Sequence, residues 1–396
     1  MSAARRALPL WLALATAYTL VWALGVGPGA GVTAPEAHRL LVAVSVVDDG
    51  DLDLRNQYAQ RSWTDFYNKP LRPAAGLTDG RLVEPTGVGF ALLIAPAYAV
   101  GGVIGVRLFL VALAALAFCL AAALGRRLVP EPWPTRAALV VGLSAPALGA
   151  AAAISPEMAG AAFLAGGALL ALVVRDRPIA ATAFWGALLV AALPWLAAKL
   201  VAPAAVGAIA LARWLRRRQR GMTGFIALEV VLTSAVVYIT VNDRLFGGLT
   251  PHAVARGGPT GASGVAEYLQ RAPRLLTLWG DPHDGLLLWA PFTALAFVAL
   301  WRLWRSRRDR LAAAVFDQVD VEVAAAFLAS IAAAVVVSIA FLAPSLDGTW
   351  YPARQLVPAL PALAALAAWG LRFAPRSGAV LGALTLAASA VALVTG

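Results

Sequence analysis

Val106-Arg-Leu-Phe-Leu-Val-Ala-Leu-Ala-Ala-Leu-Ala-Phe-Cys-Leu-Ala-Ala-Ala-Leu-Gly-Arg-Arg127 reads as a helix that crosses a bilayer and stops on two arginines. About 20 apolar residues, rising about 1.5 Å each, span the hydrocarbon core. Val106–Leu124 supplies them with one charge, Arg107, at its opposite end. The arginine pair marks a cytoplasmic end, because short cytoplasmic loops collect Lys and Arg. Cys119, inside the run, is the only cysteine, so there is no disulfide framework and no thiol metal site.

Ten further segments have the same character: Pro9–Gly29, Ala137–Ala153, Met158–Val174, Ile179–Leu193, Leu196–Ala212, Thr223–Val241, Gly285–Leu303, Val323–Ala343, Gln355–Leu371 and Gly378–Val394. The 396 residues are 61% hydrophobic and 13% charged, with a mean hydropathy of +0.76, which excludes both a soluble domain and a disordered chain. The expected fold is an all-α polytopic membrane protein, a single membrane domain over 1–396 with about eleven transmembrane helices. Alternating the spans from a cytoplasmic N-terminus places 19 of the 32 basic residues, against six of the 21 acids, on the inside. The net charge of +11 therefore reports orientation in the cell membrane, and nucleic acid is not needed to explain it. Gly87–Gly102 is apolar but short and interrupted by Pro96; as a crossing it would move Arg126 and Arg127 outside. It reads instead as a helix lying on the outer interface. A first outer loop then covers 30–105, a second 242–284, and a short third joins two late spans.

The groups capable of chemistry gather in these outer regions. They include His38, His252 and His283, together with Glu36 and the cluster Asp48, Asp49, Asp51 and Asp53. Pro35 suits the first turn of a helix, and Leu40, Leu41, Val44 and Val47 recur at helical spacing until Asp49-Gly50 stops it. Acids at the ends of such a helix either serve as a general base or hold a divalent cation near a lipid phosphate, or they merely cap a solvated turn. His283 in Trp279-Gly-Asp-Pro-His-Asp-Gly285 is a metal ligand or part of a turn. Arg354 is a phosphate clamp, or with Trp350 and Tyr351 an interface anchor. Glu229, inside a span, is a functional candidate or pairs with the arginines of 213–220. There is no phosphate-binding loop, dinucleotide fingerprint or His-Glu-x-x-His, and Gly257–Gly264 reads as a flexible loop.

Several stretches resemble the GT-C superfamily of integral membrane glycosyltransferases, in the bacterial branch near the mannosyltransferase and aminoarabinose-transferase proteins. They are Pro35-Glu-Ala-His-Arg-Leu-Leu41, Val47-Asp-Asp-Gly-Asp-Leu-Asp-Leu-Arg-Asn-Gln-Tyr58, Glu84–Tyr98, Asp284–Pro291 and Trp350–Pro361. The resemblance implies a sugar donor on a polyprenyl phosphate, a lipid or cell-envelope glycan or protein acceptor, and an extracytoplasmic active side. The family's acidic pair falls on Pro35 and Glu36, so its first acid is missing. Glu36 is then the implied base, with Asp48 or Asp49 as substitutes. Arg354, with Arg55 or His283, would take the phosphate, aided or not by a divalent cation, Mg or Mn. An inactive relative and a transporter or flippase of envelope lipids stay open as alternatives. Near absence of charge in the spans and of an internal repeat argue against ion-coupled transport.

Overall fold

The computed structural model describes residues 3–26, 31–74, 77–78, 80–217, 221–254, 264–309, 316–343, 346 and 351–395. Trp350, the glycines between 257 and 263, Arg218 and Arg220 lie outside the described residues. Among the described residues 81% are helical. Among the described residues the strands are two short ones, β1 (Leu77–Thr78) and β2 (Arg81–Leu82), paired antiparallel around Gly80. The first half runs α1 (Ala3–Ala23), α2 (Ala34–Asp48), α3 (Arg55–Gln60), α4 (Val88–Gly125), α5 (Trp133–Gly142), α6 (Ala145–Ala152), α7 (Pro156–Asp176) and α8 (Ala180–Leu196). The second half runs α9 (Val201–Arg217), α10 (Gly221–Phe246), α11 (Val265–Gln270), α12 (Arg274–Gly280), α13 (Leu286–Trp289), α14 (Leu295–Asp309), α15 (Phe316–Leu342), α16 (Leu360–Phe373) and α17 (Pro375–Thr395).

Seven helices among the described residues are long and apolar enough to cross a membrane: Val88–Gly125, Pro156–Asp176, Ala198–Arg217, Gly221–Ala253, Asp320–Leu342, Arg354–Phe373 and Pro375–Thr395. Ala7–Ala23 and Ala180–Leu196 are shorter apolar helices. The chain is thus a multi-pass, all-helical membrane protein, but two of the eleven expected spans are not single helices. Ala137–Ala153 breaks into α5 and α6 at an extended Ser144, with Pro146 in the first turn of α6. Gly285–Leu303 divides at Pro291 into α13, a 3-10 turn and α14. Proline lacks the N–H that continues a helix, so Pro146 and Pro291 open new turns after the non-helical Ser144 and Ala290. Within α4 the backbone leaves the helix at Gly101 and at Gly102, whose φ of 54° is one that glycine adopts freely. That kink separates the short apolar segment ending near 102 from the span that follows it.

The helices divide into inner and outer ones. α7 and α16 bury 78% and 89% of their apolar windows, whereas α10 and α17 bury 11% and 28% and leave their outer faces to lipid. Gly166 and Gly167 of α7 let α8 approach so closely that a Cβ there would meet Leu189 at 3.0 Å and Val190 at 3.1 Å. Without a strong hydrophobic drive between helices in lipid, such contacts hold them together by packing. Glu229 sits on the exposed side of α10, accepting from Thr233 Oγ1 at 3.3 Å.

Candidate functional site

The start of α2 is tied to the start of α7. Glu36 Oε2 accepts from the Thr33 N–H at 2.8 Å and from its hydroxyl at 3.1 Å, closing the first turn of α2. Its other oxygen accepts from the Ile154 N–H at 2.6 Å, while Arg39 Nη1 donates to the Ile154 carbonyl at 3.0 Å. Residues three apart share a helix face, so Glu36 and Arg39 grip both backbone polar groups of one residue, Ile154. Two residues later α7 begins with Ser155-Pro-Glu157, which carries the acid in its first turn.

Glu157 is the centre of a buried ionic cluster, with its side chain only 1% exposed. Its Oε1 receives Lys199 Nζ at 2.9 Å and Arg354 Nε at 3.2 Å, and its buried Oε2 has no hydrogen-bond partner. Lys199 also donates to Gln355 Oε1 at 2.8 Å, and its own carbonyl accepts from Ser338 Oγ at 2.5 Å. Lys199 lies in the 3-10 turn Ala198–Leu200 between α8 and α9, and Arg354 opens the turn before α16. The cluster thus joins α7, the α8–α9 junction and the chain leading into α16.

A cavity of about 640 Å³ opens from this cluster. Its walls are apolar surfaces of α8, α9 and α10, including Val190, Pro194, Ala204, Val231 and Ile239. Its charged end carries Arg39, Glu157, Lys199 and Arg354, with Gln355 and His252 beside them.

The acids named from sequence fall in different places. Asp48 is exposed at the far end of α2, 12 residues or about 18 Å along the helix from Glu36. Asp49 accepts from Asn56 Nδ2 at 2.7 Å and from the Gln57 side chain, and Asp51 from Ser45 Oγ at 3.0 Å. Asp53 binds the Leu82 N–H at 3.0 Å and Arg55 Nη2 at 2.7 Å. These aspartates brace a turn against the β-hairpin, and none of Glu36, Asp48, Asp49 and Arg55 lines the cavity. Glu36 lies among the cations, where its charge acts on Arg39, Arg107 and Arg354. Arg354 and His283 share the wall of a second, smaller cavity. His38 Nδ1 stands 2.9 Å from Tyr58 Oη and 3.0 Å from Glu84 Oε1, and Tyr58 donates to that oxygen at 2.5 Å. Burial and then the Glu84 charge push the Tyr58 hydroxyl's pKa up, so this trio is a hydrogen-bonded lock on the segment between α2 and α4. Among the described residues no group of three or more His, Cys, Asp or Glu is arranged to hold a metal ion.

The partial burial of Asp53 raises its pKa, but the Arg55 side chain and the N–H groups of Leu82 and Arg55 outweigh it and hold the carboxyl below its usual range. A folded pKa below the unfolded one gives stability that is present above the unfolded value, about 4, and lost as pH falls through the folded one. Asp53→Asn is therefore expected to flatten the acid limb of a thermal-stability profile below about pH 4 and to leave its neutral slope unchanged. An acid limb identical in the two chains would refute this role.

Sequence reasoning passed over Glu157, Arg39 and Glu84 as functional groups. An acid after Ser-Pro at the head of an apolar segment has the signature of an ordinary helix start. The one sequence signal is Lys199, one of two lysines in the chain and set near the start of the apolar segment Leu196–Ala212.

No protein-family model matches the chain, and no curated protein matches it. The fold is one shared with solved polytopic helical proteins of the membrane. Two solved structures of ArnT from Cupriavidus metallidurans carry that likeness. The one bound to undecaprenyl phosphate has a TM-score of 0.54 and 16% identity, covering 94% of this chain and 62% of ArnT. The apo structure has a TM-score of 0.53 and 18% identity, covering 96% and 62%. The chain thus spans about 62% of the length of ArnT, and what the two share is the fold.

Proposed function

We propose that this chain is a membrane glycosyltransferase that moves a sugar from a polyprenyl-phosphate donor to a lipid or cell-envelope acceptor on the extracytoplasmic face. One observation carries the reading: an apolar cavity between membrane helices that ends on Lys199, Arg354 and Arg39. An isoprenoid tail matches the walls, and a phosphate matches the cations, which bind it by charge-assisted hydrogen bonds. The undecaprenyl phosphate in one ArnT structure supports the same ligand class. The distribution of arginines between the two sides supports the orientation.

In the transfer, the acceptor oxygen bonds to the anomeric carbon as the bond from that carbon to the phosphate oxygen breaks. The electron pair leaves on the phosphate, where Lys199 and Arg354 stabilise the growing charge. The acceptor's proton passes to a carboxylate, and Glu36 and Glu157 are the two acids whose charges act on Arg354. The charged end of the cavity is cationic around one engaged carboxylate, a donor set that does not fit Mg or Mn.

The test is transfer of labelled sugar from polyprenyl-phosphate donors by the purified chain in lipid. Wild type is expected to transfer, Asp49→Asn to keep most of the rate, and Glu36→Gln to lose at least about a hundredfold, the lower range for one general acid–base group. No transfer by wild type with any pentosyl or hexosyl donor overturns the reading. Loss in Asp49→Asn with none in Glu36→Gln would move the base to the far end of α2.

A further inference from the structure

α7 starts at the ionic cluster with Glu157 and α16 follows Arg354, so the far ends of both helices lie on the opposite side of the bundle. Arginines on that side are of two kinds. Arg126 holds Glu131 at 2.6 Å, Arg127 holds Asp176, and Arg175 holds Asp320. Arg302 and Arg305 of α14, Arg372 of α16 and Arg376 of α17 are exposed, and among the described residues none of these four has a carboxylate partner. They form one patch. Arg302 Cζ lies 4.9 Å from the centre of the Phe373 ring, joining α14 to the end of α16, and Arg372 and Arg376 flank the turn between α16 and α17. Arg305 stacks on Trp301 at 5.6 Å. A ring attracts a cation through its quadrupole but has no net charge, so the stacks orient these guanidiniums without neutralising them. Trp301 and Trp304 are 51% and 55% exposed, and Phe297, one turn earlier, is 45% exposed. The amphipathic ring of tryptophan suits the level at which lipid headgroups meet hydrocarbon.

We infer that this patch binds the headgroup of an anionic phospholipid in the leaflet on that side of the membrane, with the acyl chains along the aromatic face of α14. A phosphodiester headgroup supplies the negative charge that no side chain brings, and guanidinium groups take its oxygens two at a time. Basic pockets between transmembrane helices suit such headgroups. The exposed rings of Phe297 and Trp301 call for a ligand with a hydrocarbon part, which a free phosphate lacks. A zwitterionic lipid carries its own cation, which cancels the attraction. One headgroup between Arg305 and Arg376 ties the ends of α14 and α17 to each other, with the end of α16 between them. This anion is distinct from that of the sugar donor, whose phosphate is matched by Lys199 and Arg354 at the other end of the helices.

The whole purified protein in neutral detergent is titrated with phosphatidylglycerol, phosphatidylcholine or glycerol phosphate, and bound ligand is counted by native mass spectrometry. Wild type is expected to hold phosphatidylglycerol at least about 25-fold more tightly than either of the others, at about fivefold for each of two engaged arginines. Arg305→Gln combined with Arg376→Gln changes exposed positions at little cost to folding and is expected to lose most of that preference. Arg126→Gln removes a positive charge from the same side, one that Glu131 already engages, and is expected to stay within about twofold of wild type. Equal binding of the two lipids by wild type overturns the site, as does glycerol phosphate binding as tightly as phosphatidylglycerol. An unchanged preference in the double variant, or an equal loss in Arg126→Gln, overturns it too, the latter by showing a diffuse surface charge in place of a site.

Discussion

Glu157→Gln is expected to destabilise the chain by about 3–5 kcal/mol, the usual cost of removing one partner from a buried ion pair. The substitution keeps the shape of the side chain and removes only its charge. Lys199 and Arg354 are then held together in a low-dielectric site with the acceptor between them weakened. Replacing an acid by an isosteric amide at the start of a helix also loses a favourable interaction with the helix dipole, a smaller effect of about 0.3–1 kcal/mol. Thermal unfolding in detergent measures the sum. The more discriminating reading is rescue: polyprenyl phosphate brings its own negative charge to the same cations. It should therefore raise the melting temperature of Glu157→Gln more than that of wild type, by linkage. An equal shift in both chains would show that Glu157 is a packing residue remote from any anion.

Lys199→Met is expected to weaken binding of polyprenyl phosphate by about 10- to 100-fold, the range for losing one hydrogen bond between charged groups. Methionine keeps most of the aliphatic stem, so the turn between α8 and α9 retains its packing. Lys199 donates to Glu157 and Gln355, which use two of its three N–H groups and leave one for a ligand in the cavity that it lines. Arginine at this position is a poor substitute, because its planar fork does not reproduce a compact ammonium held from two sides. Lys199→Arg should therefore bind the lipid less tightly than wild type but better than Lys199→Met. An unchanged affinity in Lys199→Met, with the protein folded, would remove the cationic end of the cavity from the proposed function.

The aspartate cluster shows how residue types at close spacing misdirect. Four acids in six residues, Asp48 to Asp53, stand out in a chain with 21 acids in all. In the fold the oxygens of Asp49, Asp51 and Asp53 are taken up by Ser45, Asn56, Gln57, Arg55 and the backbone of Leu82, all within one turn and hairpin. Glu157 has no such company in sequence, yet it is the acid that two cations from distant segments converge on. Arg354 was legible because it sits at the mouth of an apolar segment. Its partner 197 residues away was not.

What the sequence determined by itself is the class of molecule. Hydropathy counts how much of a chain must leave water, a property that adds up residue by residue. Long apolar runs with arginine-rich ends therefore define a polytopic helical membrane protein before any packing is known. The tertiary structure decided two things that do not add up in this way. It decided which apolar runs are continuous, since a break at Ser144 or Ala290 divides a run whose mean hydropathy is unaltered. It also decided where charge is buried. A carboxylate, a lysine and two arginines from four separate segments are tolerable away from water only against each other, and that requirement is met by three-dimensional proximity, which no spacing along the chain expresses.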